Sequence, residues 1–161
     1  MELGVGNGGY CKGLIGSSPI WAYDTFDGKF PLDTAIPEEN RDVFGWGGQS
    51  CSPETKAELE SLGVVCVEGV FPESFHKLHP ESVSFVHVDM DTYAATTAAL
   101  NLFHPLMTEG GVFMVHDYYN GGMPGVKWAV DQFEVGPHGS KYEFSEDSSH
   151  RKLRKLPSQM T

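Results

Sequence analysis

Short apolar runs alternate along the chain with turn residues and amphipathic stretches, a pattern that predicts a parallel α/β sheet. Met1–Val5 reads as the end of a strand running into the glycine-rich stretch Gly4-Val5-Gly6-Asn7-Gly8-Gly9. Tyr10–Ile15 predicts a short helix, closed by Gly16-Ser17-Ser18-Pro19, and Ile20–Tyr23 a strand ending at Asp24. Ser52 as cap and Pro53 at the first helical position open a helix over Lys56–Leu62, stopped by Gly63. Val64–Val67 and the near-continuous apolar Phe85–Val88 predict further strands, the second buried on both faces. Ala94–Leu102 reads as helix, Gly110-Gly111 leads into strand Val112–Val115, and Pro124–Phe133 is again helical. Tyr142–Phe144 and Leu153–Leu156 predict an antiparallel hairpin closing the sheet. Residues 27–52, with Pro31, Pro37 and Gly45-Trp46-Gly47-Gly48, predict a long loop over a site. The expected architecture is one domain over 1–161: a mostly parallel sheet, helices on both faces and a C-terminal hairpin.

Charge adds a constraint. Asp and Glu number 22 against 11 Lys and Arg, a net charge of −11. A surface this acidic repels phosphate backbones, which argues against nucleic-acid binding, and attracts divalent metals or cationic ligands. The basic cluster Arg151, Lys152, Arg154 and Lys155 reads as an exposed strand face. Three scattered cysteines, Cys11, Cys51 and Cys66, form neither a disulfide framework nor a paired metal motif. With the acidic Glu2 directly after Met1 and no apolar run of about 18 residues, a cytoplasmic protein without a membrane span is expected.

In open α/β sheets ligands bind beyond the carboxyl ends of the strands. Those ends carry Glu2-Leu3-Gly4-Val5-Gly6, Asp24, Glu68-Gly69, Asp89-Met90-Asp91 and His116-Asp117-Tyr118. So many acids at one edge call for a cation. Gly4, Gly6 and Gly9 fit the G-x-G-x-x-G pattern, and Asp24 follows Gly4 by 20 residues, as in a nicotinamide site. Glu2, two residues before the first glycine, instead matches the first motif of S-adenosylmethionine-dependent methyltransferases. Asp89 and Asp91 share a strand parity and can face one site, the alternative being a pair of helix caps before Ala94. Asp117 adds a third carboxylate, and oxygen ligands of this kind suit Mg²⁺ or Mn²⁺. His87 reads as a core or sheet-face histidine, His104 as a turn residue, Cys66 as a small buried hydrophobe and Trp128 as core. Phe44, Trp46 and Tyr119 lie in loops where an aromatic ring stacks on adenine or a sugar, or simply packs.

Taken together these stretches resemble the macrocin O-methyltransferase (TylF-like) family of class I methyltransferases. The resemblance is carried by Glu2-Leu3-Gly4-Val5, Asp24-Thr25-Phe26-Asp27-Gly28, Val67-Glu68-Gly69-Val70-Phe71-Pro72-Glu73-Ser74, and Val86-His87-Val88-Asp89-Met90-Asp91-Thr92-Tyr93. Thr96, Gly110-Gly111 and His116-Asp117-Tyr118 extend it. It implies a Rossmann-like fold in which Glu2, Gly4, Gly6, Asp24, Glu68, Gly69 and Asp89 line S-adenosyl-L-methionine. Asp24 takes the ribose hydroxyls, and Glu68-Gly69 borders the adenine. It also implies Mg²⁺ or Mn²⁺ held by Asp89 and Asp117, with Asp91 as general base. His116 stands where the family has the first Asp of a pair, an imidazole in place of an oxygen ligand.

The expected activity is metal-assisted O-methylation of a sugar or glycosylated small molecule, with a homo-oligomer left open. A nicotinamide-dependent oxidoreductase is the alternative suggested by the glycine pattern and Asp24. It leaves Asp89, Asp91 and Asp117 without a role. A non-catalytic S-adenosylmethionine-binding domain is the other alternative.

Overall fold

The computed structural model describes residues 1–16, 19–28 and 51–158. Among these, residues 1–28 and 51–79 form one compact unit and residues 80–158 a second. The predicted loop over 27–52 lies almost wholly outside the described residues, as do Phe44 and Trp46.

The first unit contains β1 (Glu2–Leu3), α1 (Gly9–Leu14), β2 (Trp21–Asp24), α2 (Pro53–Ser61), β3 (Val65–Glu68) and α3 (Glu73–Lys77). β2 lies between β1 and β3, all parallel, with Leu3 opposite Tyr23 and Asp24 opposite Glu68. The expected cap holds: Ser52 Oγ accepts from the Thr55 amide at 3.2 Å, and Pro53 fills the first helical position. Val5, Cys11, Ile20, Ala22, Phe26, Cys51, Leu59 and Val64 make the core of this unit. Burial pushes the Cys51 thiol up to about 12 and raises Cys11 further, so both are inert small hydrophobes. Helix α3 was not legible because five residues carry too little periodicity.

The second unit contains β4 (Val83–Val88), α4 (Tyr93–Phe103), β5 (Met107–His116), α5 (Pro124–Val135), a single 3₁₀ turn (Gly139–Lys141), β6 (Tyr142–Glu146) and β7 (His150–Lys155). β4 and β5 run parallel, β7 is antiparallel to β5, and β6 is antiparallel to β7. The C-terminal hairpin is therefore as expected. β5 starts earlier than its apolar pattern suggests, and Gly110-Gly111 lies inside it. Val83 pairs with Met107 but Phe85 with Val112, so β5 carries extra residues in a bulge. Gly110 has φ 73, and a Cβ on Gly111 would lie 2.5 Å from Met107 Sδ and 2.8 Å from the Thr108 carbonyl oxygen. Only glycine fits this turn within a strand.

One side-chain expectation is corrected: Trp128 is 49% exposed on α5, because Val126, Ala129, Val130 and Phe133 fill the inward face of that helix. His104 lies in the turn that ends α4, as expected, and is buried there: Nδ1 lies 2.9 Å from the Tyr142 hydroxyl, and the ring is tilted against that of His138 at 4.1 Å. Burial first, then the His138 charge, lowers its pKa to about 4, so it is a neutral core residue. Among the described residues no helix is long and apolar enough to cross a membrane.

Leu153, fully buried on β7 opposite Phe113 and Phe144, ties the hairpin to β5. Leu153→Ala is expected to cost about 2–5 kcal/mol, the range for a large-to-small core change. Urea unfolding followed by far-ultraviolet dichroism measures it, and a loss under 1 kcal/mol would show that the hairpin is not integral to the core.

Candidate functional site

In the first unit the parallel register brings Glu2, Gly4, Asp24 and Glu68 to one end of the strands. Gly4, Gly6 and Gly8 all take left-handed conformations, with φ 80, 53 and 74. At Gly8 a Cβ would also press to 3.1 Å from Thr55 Cγ2 and 3.4 Å from Leu59, so α1 begins tight against α2. Asp24 organises this loop. Its Oδ2 accepts from the Val5 amide at 2.8 Å, and its Oδ1 accepts from the amides of Cys51 at 3.1 Å and Phe26 at 3.3 Å. Three of the roughly four acceptor positions of a carboxylate are thereby used on backbone. The sequence pointed to Asp24 as a ligand-binding acid, and the structure adds this clasp. The Cys51 amide gave no signal, since a backbone donor leaves no trace in residue type.

Glu2 is 2% exposed, beside Cys11. Glu68 is half-exposed and its Oε2 accepts from Lys56 Nζ at 2.6 Å. The Gly69 amide donates to the Asp24 carbonyl at 3.0 Å. Five of the predicted cofactor residues besides Gly6 thus sit on or directly after β1, β2 and β3: Glu2, Gly4, Asp24, Glu68 and Gly69. Asp89 belongs to the second unit.

There, Val88 pairs with Val115, which puts Asp89 level with His116 at the ends of two parallel strands. His116 Nδ1 lies 3.1 Å from Asp89 Oδ1 and 2.9 Å from Asp117 Oδ2. That nitrogen is buried at these distances yet meets the angular requirement of a hydrogen bond with neither oxygen. The contacts are ion pairs in character. The Asp89 carboxylate in contact, outweighing burial, raises the His116 pKa to about 9. Burial acts to raise Asp117, but the hydrogen bond from Asn120 and the His116 charge beside it outweigh it and hold its pKa low. Asn120 Nδ2 donates to Asp117 Oδ1 at 3.0 Å, and its amide donates to the Asp117 carbonyl at 3.0 Å. Asn120 was missed in the sequence because its Asn-Gly-Gly context reads as an ordinary turn.

Asp91 completes the group. Burial, then the charge of Asp89 and a hydrogen bond to Asp117, push its pKa up to about 7. Asp91 and Asp117 both hold left-handed backbone, φ 59 and 57, uncommon for non-glycine residues and frequent at functional sites. The helix-cap alternative for these aspartates fails: Thr92 caps α4, its Oγ1 accepting from the Ala95 amide at 3.3 Å.

Asp89, His116 and Asp117 each offer a ligand atom within 4.8 Å of the others. Two ligands at right angles on an ion with bonds of about 2.1 Å stand about 3.0 Å apart, the spacing seen around His116 Nδ1. A buried nitrogen without an aligned partner, flanked by two oxygens at that spacing, fits a divalent cation in place of the imidazole proton.

A family profile described as a methyltransferase domain matches residues 17–118. The chain belongs to that family. No curated protein sequence matches it. Its fold is similar to that of the O-methyltransferase NovP, with a TM-score of 0.78 at 19% identity over 97% of this chain and 71% of that one. It is also similar to CalS11, described as a calicheamicin methyltransferase, with a TM-score of 0.71 at 22% identity, covering 96% of this chain and 70% of that one. An O-methyltransferase from Bacillus cereus, solved with SAH, gives 0.60 at 12% identity, over 97% and 72%. The methyltransferase is thus of the Rossmann-like class I fold that the motifs implied, a family that takes S-adenosylmethionine and leaves the oxidoreductase alternative unsupported.

Both raised pKa values act in one direction on stability. Between pH 3.8 and about 7 the folded chain holds the Asp91 proton more tightly than the unfolded chain, so stability falls as pH rises through that window. The His116 contribution is full below 6.5 and is lost as pH rises through about 9. Asp91→Asn removes the charged carboxylate and should stabilise the protein at pH 8.5 by on the order of 1–2 kcal/mol, discounted for partial exposure to water. The gain should vanish at pH 4, where Asp91 is already protonated; denaturant unfolding of both proteins at the two pH values checks this.

Proposed function

We propose that this methyltransferase transfers the methyl group of S-adenosyl-L-methionine to a hydroxyl of a sugar or glycosylated small molecule, with Mg²⁺ or Mn²⁺ at Asp89, His116 and Asp117. The observation that carries the reading is the group itself: Asp89, His116 and Asp117 offer ligand atoms within 4.8 Å of one another, with Asp91 hydrogen-bonded to Asp117 beside them. The described O-methyltransferase activity of NovP supports it, as does that of CalS11, named as a TDP-rhamnose 3'-O-methyltransferase.

An alkyl hydroxyl is a poor nucleophile at neutral pH. Asp91 is the carboxylate placed for that problem: burial and the charge of Asp89 raise its pKa to about 7 in the metal-free chain, and a bound cation would lower it toward the ionised, proton-accepting form. As the acceptor oxygen bonds to the sulfonium methyl and the carbon–sulfur bond breaks, the hydroxyl proton passes to Asp91. The protonated Asp91 then donates to Asp117, which Asn120 holds in place. Bound at Asp89, His116 and Asp117, a divalent cation would supply Lewis-acid polarisation of the acceptor oxygens. In the first unit Glu2, Gly4 and Gly6 line the methionine and ribose portion, Glu68 and Gly69 border the adenine, and Asp24 receives the ribose hydroxyls while clasping the loop. We infer action on a free small molecule within a single domain in the cytoplasm.

Calorimetry with S-adenosylmethionine and with NAD tests the cofactor. S-adenosylmethionine alone should bind, and Asp24→Asn should weaken it by about 1–3 kcal/mol, the scale for unpairing a buried polar group. Unchanged affinity would remove Asp24 from the cofactor site.

Transfer of labelled methyl to a panel of sugar nucleotides and glycosides tests the chemistry. Asp91→Asn should keep Mn²⁺ and S-adenosylmethionine binding but lose at least a hundredfold in kcat, the general-base contribution. Asp89→Asn should lose Mn²⁺ binding and transfer together. Full activity after EDTA treatment and desalting would sink the metal part of the reading.

A further inference from the structure

A lysine stands at the end of helix α2 where a cation is least favoured. Lys56 closes the first turn, its amide donating to the Ser52 carbonyl at 3.0 Å. The positive pole of the helix lies at that end and repels an ammonium. Glu60, one turn on, is 3.9 Å away and follows the lysine, the weaker order for an ion pair along a helix. Helix stability therefore does not account for a lysine here. A local rule broken without local gain points to function.

What surrounds the side chain is the edge where β2 and β3 end. Lys56 Nζ donates to Glu68 Oε2 at 2.6 Å and lies 5.7 Å from the centre of the Phe26 ring, within cation–π range. Phe26 is itself fixed, buried with left-handed backbone at φ 54 and its amide on Asp24 Oδ1 at 3.3 Å. Cys66 Sγ meets the Lys56 carbonyl at 3.9 Å, which ties the helix turn to β3 two residues before Glu68. An ion pair this exposed contributes little to stability. It does set which way Glu68 faces. With Oε2 taken by Lys56, Oε1 is the oxygen left to accept from a ligand, and the ammonium keeps donors of its own. The neighbouring Gly69 amide already donates to the Asp24 carbonyl at 3.0 Å.

We propose that Lys56 and Glu68 act as one recognition pair that selects a 6-aminopurine. Glu68 accepts from the exocyclic amine of adenine through Oε1, and Lys56, which positions that carboxylate, donates to the ring nitrogen beside the amine. The inference rests on the cofactor reading above, which puts adenine against Glu68 and Gly69, and it adds what chooses the base. A 6-oxopurine presents the reverse pattern on the same edge: an oxygen faces the carboxylate and an N–H faces the ammonium. Both contacts then become repulsive, so the pair rejects the wrong base as well as holding the right one.

Calorimetry with S-adenosylhomocysteine and S-inosylhomocysteine, in which an oxo group replaces that amine, tests the pair without any acceptor or methyl transfer. The unaltered chain should bind the adenosyl ligand at least roughly tenfold more tightly. Lys56→Met should lose at least roughly tenfold in adenosyl affinity, the scale of a hydrogen bond to a charged group, and bring the two ligands within about threefold of each other. Lys56→Arg, which keeps a cation with donors, should restore the preference. Glu68→Gln, whose amide can donate to the oxo group, should narrow the preference too, and it decides the matter if Lys56→Met does not fold. Lys12→Met, which breaks the 2.8 Å pair with Glu58 on α2, is the control and should change neither affinity nor preference. Unchanged affinities in Lys56→Met, or an equal loss for both ligands, would overturn the proposal, the second by showing that the lysine only supports the edge. Binding of S-adenosylhomocysteine without any base preference in the unaltered chain would sink this inference alone. No binding of it at all would sink the cofactor reading and this inference with it.

Discussion

Two parallel strands that end in acids place like charges side by side, and the chain must answer that repulsion within a few ångströms. In the second unit the answer is His116, whose Nδ1 stands between Asp89 and Asp117. Register enforces the meeting: with Val88 opposite Val115, the next residue of each strand stands level with the other. The rest of the arrangement follows from it. Asp117 stays ionised because His116 and Asn120 hold it so, and Asp91, left with burial and two acidic neighbours, keeps its proton nearly to neutrality. A repulsion that would only destabilise a structural sheet edge here leaves one carboxylate that holds its proton to about 7.

A proton and a divalent ion compete for such a place on similar terms. Both satisfy two carboxylates through one nitrogen, and both need ligand atoms about 3 Å apart. A protonated imidazole at position 116 offsets one of the two carboxylates without a metal, whereas an Asp there would add a third negative charge.

Most of the architecture was legible from local pattern. The Ser52-Pro53 start, the apolar run ending at Val88 and the paired C-terminal strands each carry their signal within a few residues. The strand-end acids were legible for the same reason, since parallel topology makes position along a strand equivalent to position in space. What the sequence hid is non-local. The amide of Cys51 on Asp24, Asn120 behind Asp117, and the ring of His150 opposite His116 all depend on register or on backbone donors. Trp128 was misplaced because its apolar neighbours at 126, 129 and 130 share a helix with it but not its direction.

The Asp24 clasp ties three stretches of chain that are far from equivalent in folding. Val5 and Phe26 come to it through the strand pair β1–β2, whereas Cys51 is 27 residues downstream. Closing a loop of that length costs on the order of 3 kcal/mol in chain entropy before any contact repays it. The glycine cradle is therefore not a preformed local motif. Its last amide arrives only when a distant part of the chain has returned to the end of β2, so the rigidity of the glycine turn is a property of chain return as much as of the residues that line it.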